Sequence, residues 1–184
     1  AGLERSIALD WMEIAGVRHA SANLEMDGSM DLISWRSCVT RVDSTVKCWD
    51  LDRLDDLAKV SDFLVIAAPV LDTTRNSIDA RRIAMMPKGS YIIVISRGEI
   101  VDEDAMCDAL ESGHLAGAAL DATAVEPLAD DSRLWMLPNV ILTPHSSALT
   151  PELYEMRRQA FKSNLHRFAA GVELQNICNK TAGF

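Results

Sequence analysis

The chain has 184 residues, 48% hydrophobic and 24% charged, with a formal net charge of −9 and a sequence pI near 4.8. That length suits one domain with a proper core. The acidic balance argues against nucleic acid or an anionic membrane surface as a main partner, since both reward clustered Lys and Arg.

Short apolar runs alternate with helical patterns, which predicts a single-domain α/β fold with a parallel sheet. Strands are predicted at 6–9, 31–35, 63–67, 91–95, 116–120 and 140–142. Each run is continuous in polarity, as expected where helices cover both faces of a sheet. A helix is predicted over 103–111, with Ala105, Met106, Ala109 and Leu110 on one face and Asp102 as N-cap. The longest helix is predicted over 151–170, opened by Thr150 and Pro151 and closed by Gly171. Its lower half is basic, with Arg157, Arg158, Lys162 and Arg167. No repeat, low-complexity segment or linker divides the chain.

Cys38, Cys48, Cys107 and Cys178 are scattered without a CxxC pair, so neither a disulfide framework nor a metal site is expected. They read as reduced, mostly buried thiols of a cytoplasmic protein. No apolar run approaches the roughly 20 residues that span a bilayer. The opening AGLERSIALD lacks a signal-peptide pattern.

Three polar residues stand out in chain order: Arg97 in an RG pair, Glu126 in an EP pair and His145 in a PH pair. Histidine titrates in the range needed to give a proton to a carbonyl oxygen. A carboxylate beside it fixes its tautomer and stabilises the imidazolium. An arginine can grip a carboxylate or keto oxygen through paired hydrogen bonds, with more geometric control than lysine. Taken singly, each has a plainer reading. His145 is then a loop residue, Glu126-Pro127 a turn, Asp121 a cap, and Arg97-Gly98 a surface turn whose glycine takes positive φ.

The segments SDFLVIAAPVLDTTRNSI, MMPKGSYIIVISRGEIVDEDAM, GHLAGAALDATAVEPL and LWMLPNVILTPHSS follow one another between residues 61 and 147. Together they resemble the D-2-hydroxyacid dehydrogenases. The resemblance implies a Rossmann-like, doubly wound parallel sheet over 1–150, with the helix and tail of 151–184 packed on it. It implies an NAD(P)-dependent oxidoreductase acting on 2-hydroxy or 2-oxo acids, with Arg97, Glu126 and His145 as the catalytic set. Asp121 then holds the nicotinamide carboxamide. Trp35, Arg36, Ser37, Ala68, Pro69, Thr74, Ser96 and Ser147 fall at other cofactor-binding positions. A homodimer paired through cofactor domains is implied as well.

The chain also departs from that pattern. The family opens with strand, GxGxxG and helix, the glycines letting the backbone approach a pyrophosphate. Here Asp10, Met12 and Ala15 occupy those positions. Alanine is tolerable at the third, whereas a carboxylate repels the pyrophosphate and a methionine fills its space. Asp10 reads better as an N-cap, in a loop with weakened or lost dinucleotide binding. Where an acid usually accepts the ribose hydroxyls, the chain has Trp35-Arg36-Ser37, and the arginine favours NADP over NAD. Val94 stands where many relatives have asparagine. The chain begins at Ala1, with the first cofactor-domain strand, so a substrate lobe of about 100 residues is expected to be absent and the site open. Two other functions stay open: a non-catalytic dimerising or binding module, and cofactor-free acid/base chemistry on a carbonyl compound.

Overall fold

Continuous apolar runs need cover on both faces, and a parallel sheet flanked by helices gives it. The computed structural model describes residues 5–11, 30–36, 47–49 and 51–178. Strands β1 (Arg5–Trp11), β2 (Met30–Arg36), β3 (Lys47–Trp49), β4 (Phe63–Ile66), β5 (Ser90–Val94), β6 (Leu115–Leu120) and β7 (Val140–Leu142) form one sheet. Its order is β3-β2-β1-β4-β5-β6-β7, and every pair is parallel. This is the expected doubly wound Rossmann-like topology. The direction of winding reverses between β1 and β4, so a crevice opens beyond their carboxyl ends.

Six of the seven strands fall on the predicted runs, with no end displaced by more than two residues. The exception is β3, whose three residues Lys47, Cys48 and Trp49 pair with Ile33, Ser34 and Trp35 at the sheet edge. Strand β1 runs through Asp10, paired with Trp35, and Trp11, paired with Arg36. Asp10 is thus a strand residue, which corrects its reading as a helix N-cap. Met12, Ala15 and Ser37 lie outside the described residues.

The described helices α1 (Leu54–Val60), α2 (Ala80–Met85) and α3 (Glu103–Glu111) pack their apolar faces on the sheet. Leu57, Ile83 and Met106 from these helices meet Leu64, Ile92, Leu115 and Leu120 from the strands, all 2% exposed or less. Burying each such side chain contributes about 1.5–3 kcal/mol relative to leaving it in water. Asp102 caps α3 as expected, accepting from the Ala105 amide at 3.0 Å. Cys107 is buried in α3 and Cys178 is exposed, so the thiols are not uniformly interior.

Helix α4 (Pro151–Ala169) has the predicted Thr150 cap, which accepts from the Leu153 amide at 3.2 Å, and Gly171 follows at φ 66°. No residue of α4 is buried. Tyr154, Phe161, Leu165 and Phe168 remain exposed.

Candidate active site

The carboxyl ends of β5, β6 and β7 lie side by side, and each feeds a loop with one member of the polar set. Arg97 follows β5, Glu126 follows β6 and His145 follows β7. His145 Nδ1 lies 2.9 Å from Glu126 Oε2 and 3.1 Å from Oε1. An ionised carboxylate only accepts, so Nδ1 carries the proton it shares with Glu126. His145 Nε2 is 3.4 Å from Arg97 Nη1, which also donates to the Ser96 carbonyl at 2.8 Å. The histidine and glutamate side chains are 39% and 41% exposed, so the set faces open solvent. The hydrogen bond from His145 holds the Glu126 carboxyl below its ordinary value. Burial opposes this, while the Thr123 amide, at 3.2 Å, and the charge of Arg97 add to it.

Local backbone features bring the three loops together. Gly98 is buried, and a β-carbon there would lie 2.1 Å from the Thr123 carbonyl carbon and 2.4 Å from the Ala124 nitrogen. It does not have the positive φ expected of a surface turn. Glycine is needed because the Arg97 loop touches the main chain of the Glu126 loop. Glu103, in the first turn of α3, accepts from the Ala124 amide at 3.0 Å and ties down the same loop. The Glu126-Pro127 peptide is cis. His145 sits at φ 52°, in the left-handed region that few residues other than glycine adopt.

Asp121, one residue past β6, is 6% exposed. Its Oδ1 accepts from the Thr143 hydroxyl at 2.5 Å and the Ser146 amide at 2.9 Å, and its Oδ2 from the Ser147 amide at 3.0 Å. Burial alone raises this carboxyl. The hydroxyls of Ser147 and Thr143 and the two amides outweigh it and hold the group well below the usual carboxylate range. Thr143 and Ser146 were not singled out from the sequence, although they flank the PH pair, because only folding brings Asp121 to them.

The remaining predicted positions divide by place. Ala68 and Pro69 follow β4, at the crevice where the winding reverses, and Ala68 is 1% exposed. Thr74 is also 1% exposed and fastens this turn, donating to the Pro69 carbonyl at 2.7 Å and accepting from the Leu71 amide at 2.8 Å. Ser96 donates to the Ile66 carbonyl at 3.2 Å, linking the ends of β5 and β4. Trp35 and Arg36 end β2, level with Asp10 and Trp11 of β1, so they border the same edge of the sheet. Among the described residues no group of His, Cys, Asp and Glu is placed to hold a metal ion, and no helix is long and apolar enough to cross a membrane.

Residues 19–147 match the family described as D-isomer specific 2-hydroxyacid dehydrogenase, NAD binding domain. The match begins downstream of Asp10, Met12 and Ala15. The chain is 40% identical over 127 residues to glyoxylate/hydroxypyruvate reductase B of Pectobacterium carotovorum, which takes in 68% of this chain and 39% of that protein. Among solved structures, it resembles a D-isomer specific 2-hydroxyacid dehydrogenase from Xanthobacter autotrophicus Py2 in complex with NADPH and MES. The TM-score is 0.83 at 32% identity, over 98% of this chain and 73% of that one. It also resembles the NADPH-dependent glyoxylate/hydroxypyruvate reductase of Sinorhizobium meliloti in complex with NADP and sulfate. There the TM-score is 0.84 at 29% identity, over 98% of this chain and 57% of that one. The chain spans less than half the length of the curated relatives it matches. With four motifs in order, the doubly wound sheet and the arginine, glutamate and histidine gathered at one edge, the chain belongs to the D-isomer specific 2-hydroxyacid dehydrogenase family and carries its NAD-binding domain.

Proposed function

We propose that the chain supplies the cofactor-binding and acid/base part of an NAD(P)-dependent oxidoreductase acting on 2-hydroxy and 2-oxo acids. One observation carries this reading: His145 has Nδ1 tied to Glu126 at 2.9 Å while Nε2 faces Arg97 and the open edge of the sheet. The residues at this edge fit the nicotinamide end of a dinucleotide and a small acid beside it. They combine a cation for a carboxylate, a proton donor oriented through its second nitrogen, and backbone from three strand ends.

In the reducing direction, bound NADPH or NADH supplies a hydride to the carbonyl carbon. His145 Nε2 gives its proton to the carbonyl oxygen, and the ring returns to the neutral form with Nδ1–H still on Glu126. Arg97 pairs with the substrate carboxylate or keto oxygen and balances the charge that develops there. Oxidation runs through the same groups in reverse, with Nε2 as the base. Trp35, Arg36, Ser37, Ala68, Pro69, Thr74, Ser96 and Ser147, which fall at the family's cofactor positions in the sequence, are proposed as the residues that bind the cofactor. Arg36 at the end of β2 favours NADP.

The family match supports a cytoplasmic homodimer as the working form, with 1–150 as the sheet domain and 151–184 as helix and tail. A second reading is a binding module whose cofactor loop has degenerated. It draws on Asp10 and Met12 at glycine positions and on a family match that starts only at residue 19.

Titration of the purified chain with NADPH and NADH, followed by nicotinamide fluorescence, separates the two. Saturable binding with Kd below about 100 μM, near −5.5 kcal/mol, supports the oxidoreductase. No binding at millimolar cofactor supports the module. If cofactor binds, NADPH consumption with glyoxylate or hydroxypyruvate tests the chemistry, and His145→Asn is expected to lower kcat about 10²–10⁴-fold.

A further inference from the structure

The chain between the end of β5 and the start of α3 is bonded at several points to the segment that follows β4. The Ile95 amide and the Ser96 hydroxyl both donate to the Ile66 carbonyl, at 3.1 and 3.2 Å. Further on, the Ile78 amide donates to the Ile100 carbonyl at 3.0 Å, and the Asp102 amide to the Ile78 carbonyl at 2.9 Å. Arg97 and Gly98 stand between these attachments. Directly past them, the same segment holds Glu99 twice: its carbonyl accepts from the Asn76 amide at 2.8 Å, and its carboxylate from Arg75 Nη1 at 2.5 Å.

An ion pair between partly exposed side chains contributes little to stability by itself. What this one joins gives it a role. Arg75 belongs to the turn that Thr74 fastens, and its amide donates to the Leu71 carbonyl at 2.9 Å. Glu99 lies two residues past Arg97, whose Nη1 is 3.4 Å from His145 Nε2. The pair therefore ties the turn of Ala68, Pro69 and Thr74, proposed for the cofactor, to the turn that carries the cation. We propose that Arg75 and Glu99 are positioning residues: their ion pair fixes Arg97 relative to the 68–74 turn, and so sets where an oxo acid lies against the nicotinamide. Such placement matters because a shift of about 1 Å in reacting geometry can cost about 10²-fold in rate. The inference rests on the oxidoreductase reading for what Arg97 does, while the contacts stand without it.

The test is a double-mutant cycle of Arg75→Met, Glu99→Ala and the two together. Amide hydrogen exchange at Asn76, the His145 ring signals by NMR, the NADPH titration and turnover of glyoxylate are read on each. Each single variant is expected to speed exchange at Asn76 by about two- to fivefold and to move the ring signals, with the NADPH Kd held within about twofold. Where turnover is measurable, kcat/KM for glyoxylate falls by about two- to fivefold in each, and the double variant loses no more than either single one. Additive losses overturn the proposal, as do unchanged exchange and ring signals in both single variants. So does a rise in kcat/KM in Glu99→Ala, which marks its charge acting on Arg97 in place of a clamp. An NADPH Kd about tenfold weaker in Arg75→Met alone overturns it too, by making Arg75 a cofactor ligand. If the wild-type chain binds no NADPH, the oxidoreductase reading fails, and the exchange and ring signals still decide whether the pair places Arg97.

Discussion

Gly98 and Thr123 touch through their main chains, so closely that the smallest side chain at Gly98 would overlap the Thr123 carbonyl carbon. Arg97 precedes the first and Glu126 lies three residues past the second, so this contact sets the spacing between the cation and the acid. Gly98→Ala is expected to destabilise the chain by about 3 kcal/mol, a Tm lower by about 10 °C, because backbone cannot yield as a flexible side chain can. Gly89→Ala is the control, with φ 87° and nothing within 4 Å of the added carbon. It carries only the backbone cost of about 1 kcal/mol. Thermal unfolding of both variants checks the steric origin, and equal losses would refute it.

Glu103 reaches from α3 to the Ala124 amide, two residues before Glu126. Glu103→Ala leaves that amide without its acceptor at a part-buried position, at a cost of about 1–2 kcal/mol. Glu103→Gln keeps an acceptor and recovers most of the loss. Urea unfolding gives the stabilities, and hydrogen exchange at Ala124 locates the effect. A loss of equal size in both variants would point instead to charge at the start of the helix.

The depressed Glu126 carboxyl makes stability depend on acid. A group held below its ordinary value of 4.5 stabilises the fold fully above that value, and the contribution is lost as pH falls through the lower folded-state value. Because Glu126 is two-fifths exposed, the contribution is up to about 1 kcal/mol. The difference in urea midpoint between wild type and Glu126→Gln is expected to be constant from neutral pH to about pH 5 and to shrink below it. A difference that grows on acidification would reverse the sign and exclude this origin.

Asp10 and Met12 bear on the cofactor directly. If they obstruct the pyrophosphate, Asp10→Gly with Met12→Gly tightens NADPH binding by about tenfold or more, through removal of like charge and of bulk. Fluorescence titration of the double variant measures it. No gain would mean that these residues are not the glycine positions.

The strands and the polar set were legible because each depends on local pattern: apolar runs for the strands, and RG, EP and PH pairs at strand ends for Arg97, Glu126 and His145. Strand β3 was not, since Lys47-Cys48-Trp49 is too short and mixed to stand out without Ile33 to Trp35 beside it. The contacts of Asp121 were hidden for a related reason. Its partners Thr143, Ser146 and Ser147 come from another strand end, and nothing in ALD or TPHSS records which donors will meet. For α4, the Thr150 cap, Pro151 and Gly171 declared a helix without declaring what it packs against. The reason for Gly98 was not legible, because close approach and positive φ leave the same letter in the sequence.

The left-handed backbone at His145 sets endurance against chemistry. Glycine at that position would relax the turn by about 1 kcal/mol, but it would also lose the hydrogen bond to Glu126, worth up to about 1 kcal/mol. The strain and the bond nearly cancel, so thermal stability holds histidine there only while Glu126 is ionised. Where that carboxyl is protonated or replaced, the backbone cost stands uncompensated, and only the proposed proton transfer would favour histidine.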